Sequence, residues 1–292
     1  IVPEQFTMQT QKDLCLAHPK GGIMNIDVLS FGRLAYRVFE EVGQDARVVL
    51  DDEGKNLVLR KIAGECEKDL KVFKGNLKKQ GYISEVKSVL SEFAQYGVDF
   101  ERLDDFMKEV PPESYLHYKL DDIRTIYEKF EEYLSEKYIT KEEMLDVLSD
   151  AVPYSDILKG SVVAMDGFTG FTPVQNRLIG ELFSVCEKVM ITVTMDGREN
   201  PYVYEHPYQI FALGKQMVTS LMKIAGEKKT EIEEPICLFE RPVYRFRDCS
   251  EMAFLETELF RYSGAKYNGS CESVSLHEVR SPGKEAKYVA ES

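Results

Sequence analysis

The segment Ser161-Val-Val-Ala-Met-Asp166-Gly-Phe-Thr-Gly-Phe-Thr-Pro173 constrains this chain more than any other. An apolar run, Val162 to Met165, ends on one acid, and a turn rich in glycine, threonine and phenylalanine follows. Such a run reads as a buried strand of a parallel sheet, which is covered on both faces and so lacks polar alternation. Ligands of open α/β sheets bind outside the carboxyl ends of the strands. A lone Asp166 therefore stands where a nucleotide-metal site would be built.

The pattern on either side agrees with an α/β sheet. Near the start, strand-like Ile1-Val2 leads to a helix from Glu4 to Leu16, a turn at Pro19-Lys-Gly-Gly22, strand Ile26–Ser30 and helix Phe31–Val42. After Ser161 the order is strand Ser161–Asp166, helix Pro173–Cys186, strand Lys188–Met195 and helix Pro207–Ala225. Strand Val243–Phe246, helix Ser250–Arg261 and strand Ser273–Val279 come next, and Lys284–Ser292 reads as a helix beginning.

From Asn56 to Asp150 the character changes. Apolar residues recur at three and four spacing and β-branched runs vanish, with only Gly81, Gly97 and Pro111-Pro112 as punctuation, which predicts a helical block. In its clearest helix, about Pro112 to Lys137, the residues Leu116, Leu120, Ile123, Tyr127, Phe130 and Leu134 form a four-three seam that calls for another helix. Glu128, Glu131, Glu132 and Glu136 would be its solvated face. The economical reading is one sheet interrupted by a helical insertion of roughly a hundred residues.

The 292 residues, 43% of them hydrophobic, suffice for two domains or for one domain with an insertion. A net charge of −13 argues against coating nucleic acid through a general basic field, though not against a local groove. Cys15, Cys66, Cys186, Cys237, Cys249 and Cys271 are widely spaced with no CxxC, as expected of reduced, mostly buried thiols in a cytoplasmic protein with no metal site. No secretory signal or membrane-length apolar run occurs, so no membrane partner is expected and Asn268-Gly-Ser270 reads as a turn. The four histidines, His18, His117, His206 and His277, read as turn or surface residues. With no initial methionine, the chain is expected to be a fragment of something longer.

Asp166 has two readings of equal weight, a Walker B-like acid holding a water of Mg²⁺ or a cap of the turn. An aspartyl-nucleophile phosphatase needs a second acid two residues on, where Phe168 stands. A motor ATPase needs a base directly after the Asp, where Gly167 stands. No G-x-x-x-x-G-K-[ST] loop is present, because Gly54-Lys55, Gly214-Lys215 and Gly283-Lys284 lack the following hydroxyl residue.

Two more segments each follow a predicted strand and so would share the sheet edge with Asp166, namely Val2–Gln9 and Leu29–Tyr36. Gln5 and Arg33 can form paired hydrogen bonds with base edges, and Phe6, Phe31 and Tyr36 can stack on single-stranded bases. The plainer reading has Leu34 and Tyr36 on the buried side of a helix and Arg33 as a surface charge. On residue types alone it is the stronger of the two.

Taken in order, Val2-Pro-Glu-Gln-Phe-Thr7, Ser30-Phe-Gly-Arg-Leu-Ala-Tyr36 and Met165-Asp-Gly-Phe-Thr-Gly-Phe-Thr-Pro-Val-Gln175 resemble the AddB (RexB) family, the B subunit of the bacterial AddAB helicase-nuclease. Arg245-Phe246 and Leu255-Glu-Thr-Glu-Leu-Phe260 continue the resemblance. It implies an α/β, RecA-like (P-loop NTPase, superfamily 1 helicase-like) parallel sheet with an inserted all-helical subdomain. The implied divisions are 1–50 and 155–272 for the RecA-like domain, 51–154 for the insertion, and 273–292 for the start of a following domain.

The resemblance further implies a subunit that processes DNA double-strand breaks with the AddA motor and scans single-stranded DNA for the hotspot Chi, on single-stranded and duplex DNA. Contact positions carry over to Gln5, Thr7, Phe31, Arg33 and Tyr36, and to Phe168 or Phe171. ATP and Mg²⁺ would belong to the full-length protein through a phosphate loop upstream of Ile1, and the iron-sulfur cluster and nuclease chemistry to a region beyond Ser292. No catalytic residue is assigned to this chain, and Gly167 agrees with a demoted motor. The rival is a true ATP-hydrolysing helicase domain; a third reading is a module that only docks AddA.

Overall fold

In a computed structural model, which describes residues 1–43, 47–76, 79–135, 137–239, 243–261 and 263–292, the chain divides into two compact units, Ile1–Ile232 and Glu233–Ser292. The sequence reading sets its late boundary at 272 instead. In the first unit a 3-10 turn (Glu4–Phe6) precedes α1 (Thr7–Ala17), α2 (Phe31–Val42), β1 (Val48–Leu50), α3 (Asp52–Glu65), α4 (Gln80–Tyr96), α5 (Phe100–Glu109) and α6 (Tyr115–Leu134). There follow β2 (Tyr138–Thr140), α7 (Lys141–Ala151), β3 (Val162–Met165), α8 (Pro173–Val185), β4 (Lys188–Ile191) and α9 (Ala212–Lys228). Among the described residues no helix is long and apolar enough to cross a membrane.

Local sequence sets where these helices begin. Ser30, Asp51, Asp99 and Ser114 each accept a hydrogen bond from the backbone N–H three residues on, satisfying one of the orphan donors of a first turn. Thr140 and Thr172 form full capping boxes with Glu143 and Gln175.

β3 and β4 are parallel, Val162 opposite Lys188 through Met165 opposite Ile191, and Thr192 N–H extends the ladder to Met165 O at 2.9 Å. On the other side of β3, Ile1 N–H donates to Ala164 O and Asp166 N–H donates to Ile1 O at 3.0 Å. Those two bonds flank Met165, which is the parallel pattern. Val2 N–H then donates to Leu29 O at 2.9 Å. The expected strands Ile1-Val2 and Ile26–Ser30 thus give isolated ladder steps on the far side of β3, not regular strands. The strand expected to reach Met195 stops at Ile191, and the helix expected from Pro207 starts at Ala212.

A second parallel pair, β1 with β2, joins Val48–Leu50 to Tyr138–Thr140. Each strand is three residues long, too short for any period to be read. Tyr138–Thr140 interrupts the segment expected to be wholly helical.

Two hydrophobic clusters fill the first unit. One gathers α3, α4, α5 and α6 around Leu59, Ile62, Ile83, Leu103, Ile126 and Phe130. The other packs α2, α7 and α8 on the β3–β4 pair through Val38, Leu148, Met165, Leu178 and Leu182. The seam of α6 is buried at Leu120, Ile123, Tyr127, Phe130 and Leu134, whereas Leu116 in the first turn is exposed. Among its acids Glu131 is half-buried and not solvated, and Glu136 lies outside the described residues.

The second unit contains a 3-10 turn (Tyr244–Phe246), α10 (Ser250–Glu258) and α11 (Pro282–Glu291). Neither expected strand forms there. The first is this 3-10 turn, and in the second the N–H groups of Glu272 and Ser273 donate to the Glu251 carboxylate instead of to a neighbouring strand.

Candidate nucleic-acid interface

Asp166 is the residue directly after β3, held by its N–H on Ile1 O. Its exposed carboxylate accepts a 2.5 Å hydrogen bond from the Thr192 hydroxyl at the end of β4. Gly167 then takes φ +81°, a left-handed backbone that turns the chain sharply away from the strand. A Cβ there would lie 3.5 Å from Pro3 Cδ and 4.0 Å from Phe6 Cδ2, so the turn after β3 rests against the segment after Val2.

Beyond Gly167, Phe168 and Phe171 close over the start of α2. The Phe31 ring centroid lies 5.4 Å from that of Phe168 and 6.4 Å from that of Phe171, and the latter two are 5.2 Å apart. Phe31 itself is only 7% exposed. Its ring faces are occupied by protein, so it is not the open stacking platform expected of it; it fastens the two turns together. Phe168 and Phe171 keep partial exposure.

Gln5 is exposed on the 3-10 turn beside Phe6, which is 46% exposed. Thr7, expected as a contact, is 3% exposed, and its hydroxyl donates to Glu4 O at 3.0 Å. That bond closes the turn and takes Thr7 out of reach of a ligand. Arg33 and Tyr36 lie one turn apart on the open face of α2. Arg33 Nε donates to Glu4 Oε1 at 3.1 Å, and the Ser30 hydroxyl donates to the other Glu4 oxygen. The Ser30 hydrogen bond first, and the Arg33 partner after it, hold the Glu4 carboxyl below its ordinary range against the opposing effect of burial.

The segments bearing Gln5, Phe6, Arg33, Phe168, Phe171 and Asp166 therefore converge at the carboxyl ends of the parallel strands, with Tyr36 one turn further along α2, while Thr7 and Phe31 face inward. Reading the sequence missed Glu4, Ser30 and Thr192. Ser30 is legible as a helix cap from its position before Phe31-Gly-Arg33, but nothing local marks Glu4 as the partner of an arginine 29 positions on. The two arginines here are already paired, Arg33 with Glu4 and Arg37 with Asp27 at 3.1 Å. For Mg²⁺ and ATP the fit is partial. Asp166 with Thr192 could hold a metal-bound water, but the sequence has no phosphate-cradling loop, and among the described residues no three His, Cys, Asp or Glu side chains are placed to ligate a metal.

The family model described as ADDB, N-terminal, matches residues 1–256. The chain belongs to the AddB N-terminal family. Among curated relatives, the B subunit of the ATP-dependent helicase/deoxyribonuclease of Lachnoclostridium phytofermentans is 41% identical over 293 residues, covering 99% of this chain and 25% of the relative. The protein of the same name from Thermoanaerobacter sp. (strain X514) is 36% identical over 279 residues, with 96% and 24% covered. That of Clostridium acetobutylicum is 32% identical over 294 residues, with 99% and 25% covered. This AddB-family chain thus spans about a quarter of the length of the curated relatives it matches.

Proposed function

We propose that this chain is the helicase-like N-terminal region of a helicase/deoxyribonuclease B subunit and that it holds, and reads, single-stranded DNA at the carboxyl ends of its parallel strands. One observation carries the reading. Three segments far apart in sequence converge there, with Phe31 packed against both Phe168 and Phe171, Gly167 against Pro3 and Phe6, and Arg33 on Glu4. They leave Gln5, Tyr36 and the Glu4-paired Arg33 exposed, two side chains of the types able to pair with base edges and one able to stack.

The ladder steps around β3, covered on the Val163 and Met165 face by α2 and α8 while Val162 and Ala164 stay exposed, support a RecA-like sheet of the superfamily 1 helicase type. The relatives are named as one subunit of a larger enzyme, which supports a partner, AddA, that drives the motor while this region scans the strand for Chi. Duplex DNA at a double-strand break is then the substrate of the whole assembly. Free thiols suit a cytoplasmic setting. Gly167 at positive φ supports a region without its own ATP turnover, because the position of the water-orienting acid is taken by a backbone turn.

In the complete two-subunit enzyme, Arg33→Ala and Tyr36→Ala are expected to weaken the response to Chi by about 5- to 100-fold, the weight of one base-edge or stacking contact, with unwinding retained. The measurement is nuclease attenuation on hotspot-bearing duplex beside unwinding of a hotspot-free control. Loss of unwinding with an intact hotspot response overturns the reading. Vigorous DNA-stimulated ATP turnover by the isolated full-length AddB protein would favour a working motor instead.

A further inference from the structure

Cys249 and Cys271 converge on one buried carboxylate in the second unit. Glu251, in the first turn of α10, accepts from Glu272 N–H at 2.8 Å and from Ser273 N–H. Those bonds lay residues 271–274 across the start of the helix. The Cys249 thiol lies 3.9 Å from Glu251 Oε1 and donates to the Ser273 hydroxyl at 3.5 Å. The Cys271 thiol, next to Glu272 in the segment that Glu251 holds, also lies beside that carboxylate and donates to Val274 O at 3.5 Å. Cys271 is exposed and Cys249 half-buried, so a small oxidant reaches the pair without unfolding the unit.

We propose that Cys249 and Cys271 form a reversible, redox-sensitive disulfide that ties residues 271–274 to the start of α10. The oxidant class is a small-molecule disulfide such as glutathione disulfide. One cysteine thiolate attacks a glutathione sulfur, breaking its S–S bond and expelling one glutathione thiolate to leave a mixed disulfide. The second cysteine, having lost its proton to solvent, attacks the protein sulfur and expels the other glutathione. Two protein thiols give up two protons and two electrons, and one glutathione disulfide becomes two thiols.

Glu251 governs the rate. Its carboxylate, kept ionised chiefly by the Ser273 hydrogen bond, adds to desolvation in pushing the Cys271 thiol above its ordinary range. Only the thiolate attacks, so the carboxylate keeps the pair slow to oxidise until the oxidant is abundant.

The test uses the full-length polypeptide containing this chain, treated with glutathione disulfide at pH 7.5 and mapped by non-reducing peptide mass spectrometry. A 249–271 linkage is expected in about tenfold excess over any linkage to Cys237, the exposed thiol of the same unit, and dithiothreitol should reverse it. Cys249→Ser and Cys271→Ser should each abolish the linkage, and Cys237→Ser should leave it. Glu251→Gln, which removes the charge, should form it several-fold faster. Should Glu251→Gln fail to fold, the serine variants in the otherwise native chain decide the matter alone. Glutathione adducts without the linkage, or 249–271 and 237–271 linkages in similar amounts, would overturn the proposal.

Discussion

Gly167 sits at φ +81° between the strand that delivers Asp166 and the aromatic turn that covers α2. A side chain in left-handed backbone costs about 1–2 kcal/mol. Gly167→Glu, which would put an acid where a motor ATPase has one, is therefore expected to destabilise the protein by about that amount and to lower the thermal midpoint by about 2–4 °C, without conferring ATP turnover. Asp122 is a second acid whose role is structural. It is 1% exposed, and its carboxylate accepts from the N–H groups of Lys71, Val72 and Phe73 at 2.7–2.8 Å. In Asp122→Asn an amide N–H₂ must face at least one of those donors, so a loss of about 2–3 kcal/mol is expected in urea unfolding. Gly167 is marked in sequence by its place after Asp166 though its left-handed dihedral angle is not, and nothing local marks Asp122, whose partners lie in a loop about fifty positions away.

At the scale of elements, an acid of α6 senses the charge of an acid of α7. Glu143 is committed to the capping box of α7, its Oε2 accepting from Thr140 N–H at 2.8 Å and from the Thr140 hydroxyl at 3.0 Å. Burial first, and the Glu143 charge second, push Glu131 up to about 7. Lys55, Lys87 and Glu142 line the same small cavity as Glu131, and Lys55 is bonded to Glu142 at 2.6 Å. In the unfolded chain Glu131 ionises near 4.3. Between that value and about 7 the folded state holds the extra proton, so this residue's contribution to stability falls as pH rises and is flat above. Glu131→Gln is expected to flatten that slope and to stabilise the protein at pH 8 by about 1–2 kcal/mol, after discounting for solvent screening, as read from urea midpoints at pH 5 and pH 8. The α6 seam was legible because it repeats over five turns. The half-burial of Glu131 was not, because it depends on where α7 is laid.

Across the first unit, Met165 lies at the centre of the ladder, fully buried, with Ile1 on one side and β4 on the other. Met165→Ala removes a side chain against which α2, α7 and α8 share a core, and it is expected to cost about 2–4 kcal/mol with an unchanged urea m-value. α8 and α9 approach closely at Gly180, where a Cβ would lie 3.2 Å from Ile224 Cγ2 and 3.3 Å from Lys228 Cε. What the sequence by itself determined are features carried within a few neighbouring residues: the apolar run to Asp166, the helix caps, the α6 seam, and the order of three motifs that resemble the AddB family. Only the tertiary structure decided that Phe31 and Thr7 turn inward, that Arg33 rests on Glu4, and that Ile1 and Leu29 contribute single ladder steps. Each of those outcomes depends on groups distant along the chain competing for the same space or hydrogen bond, and no local pattern records which of them wins.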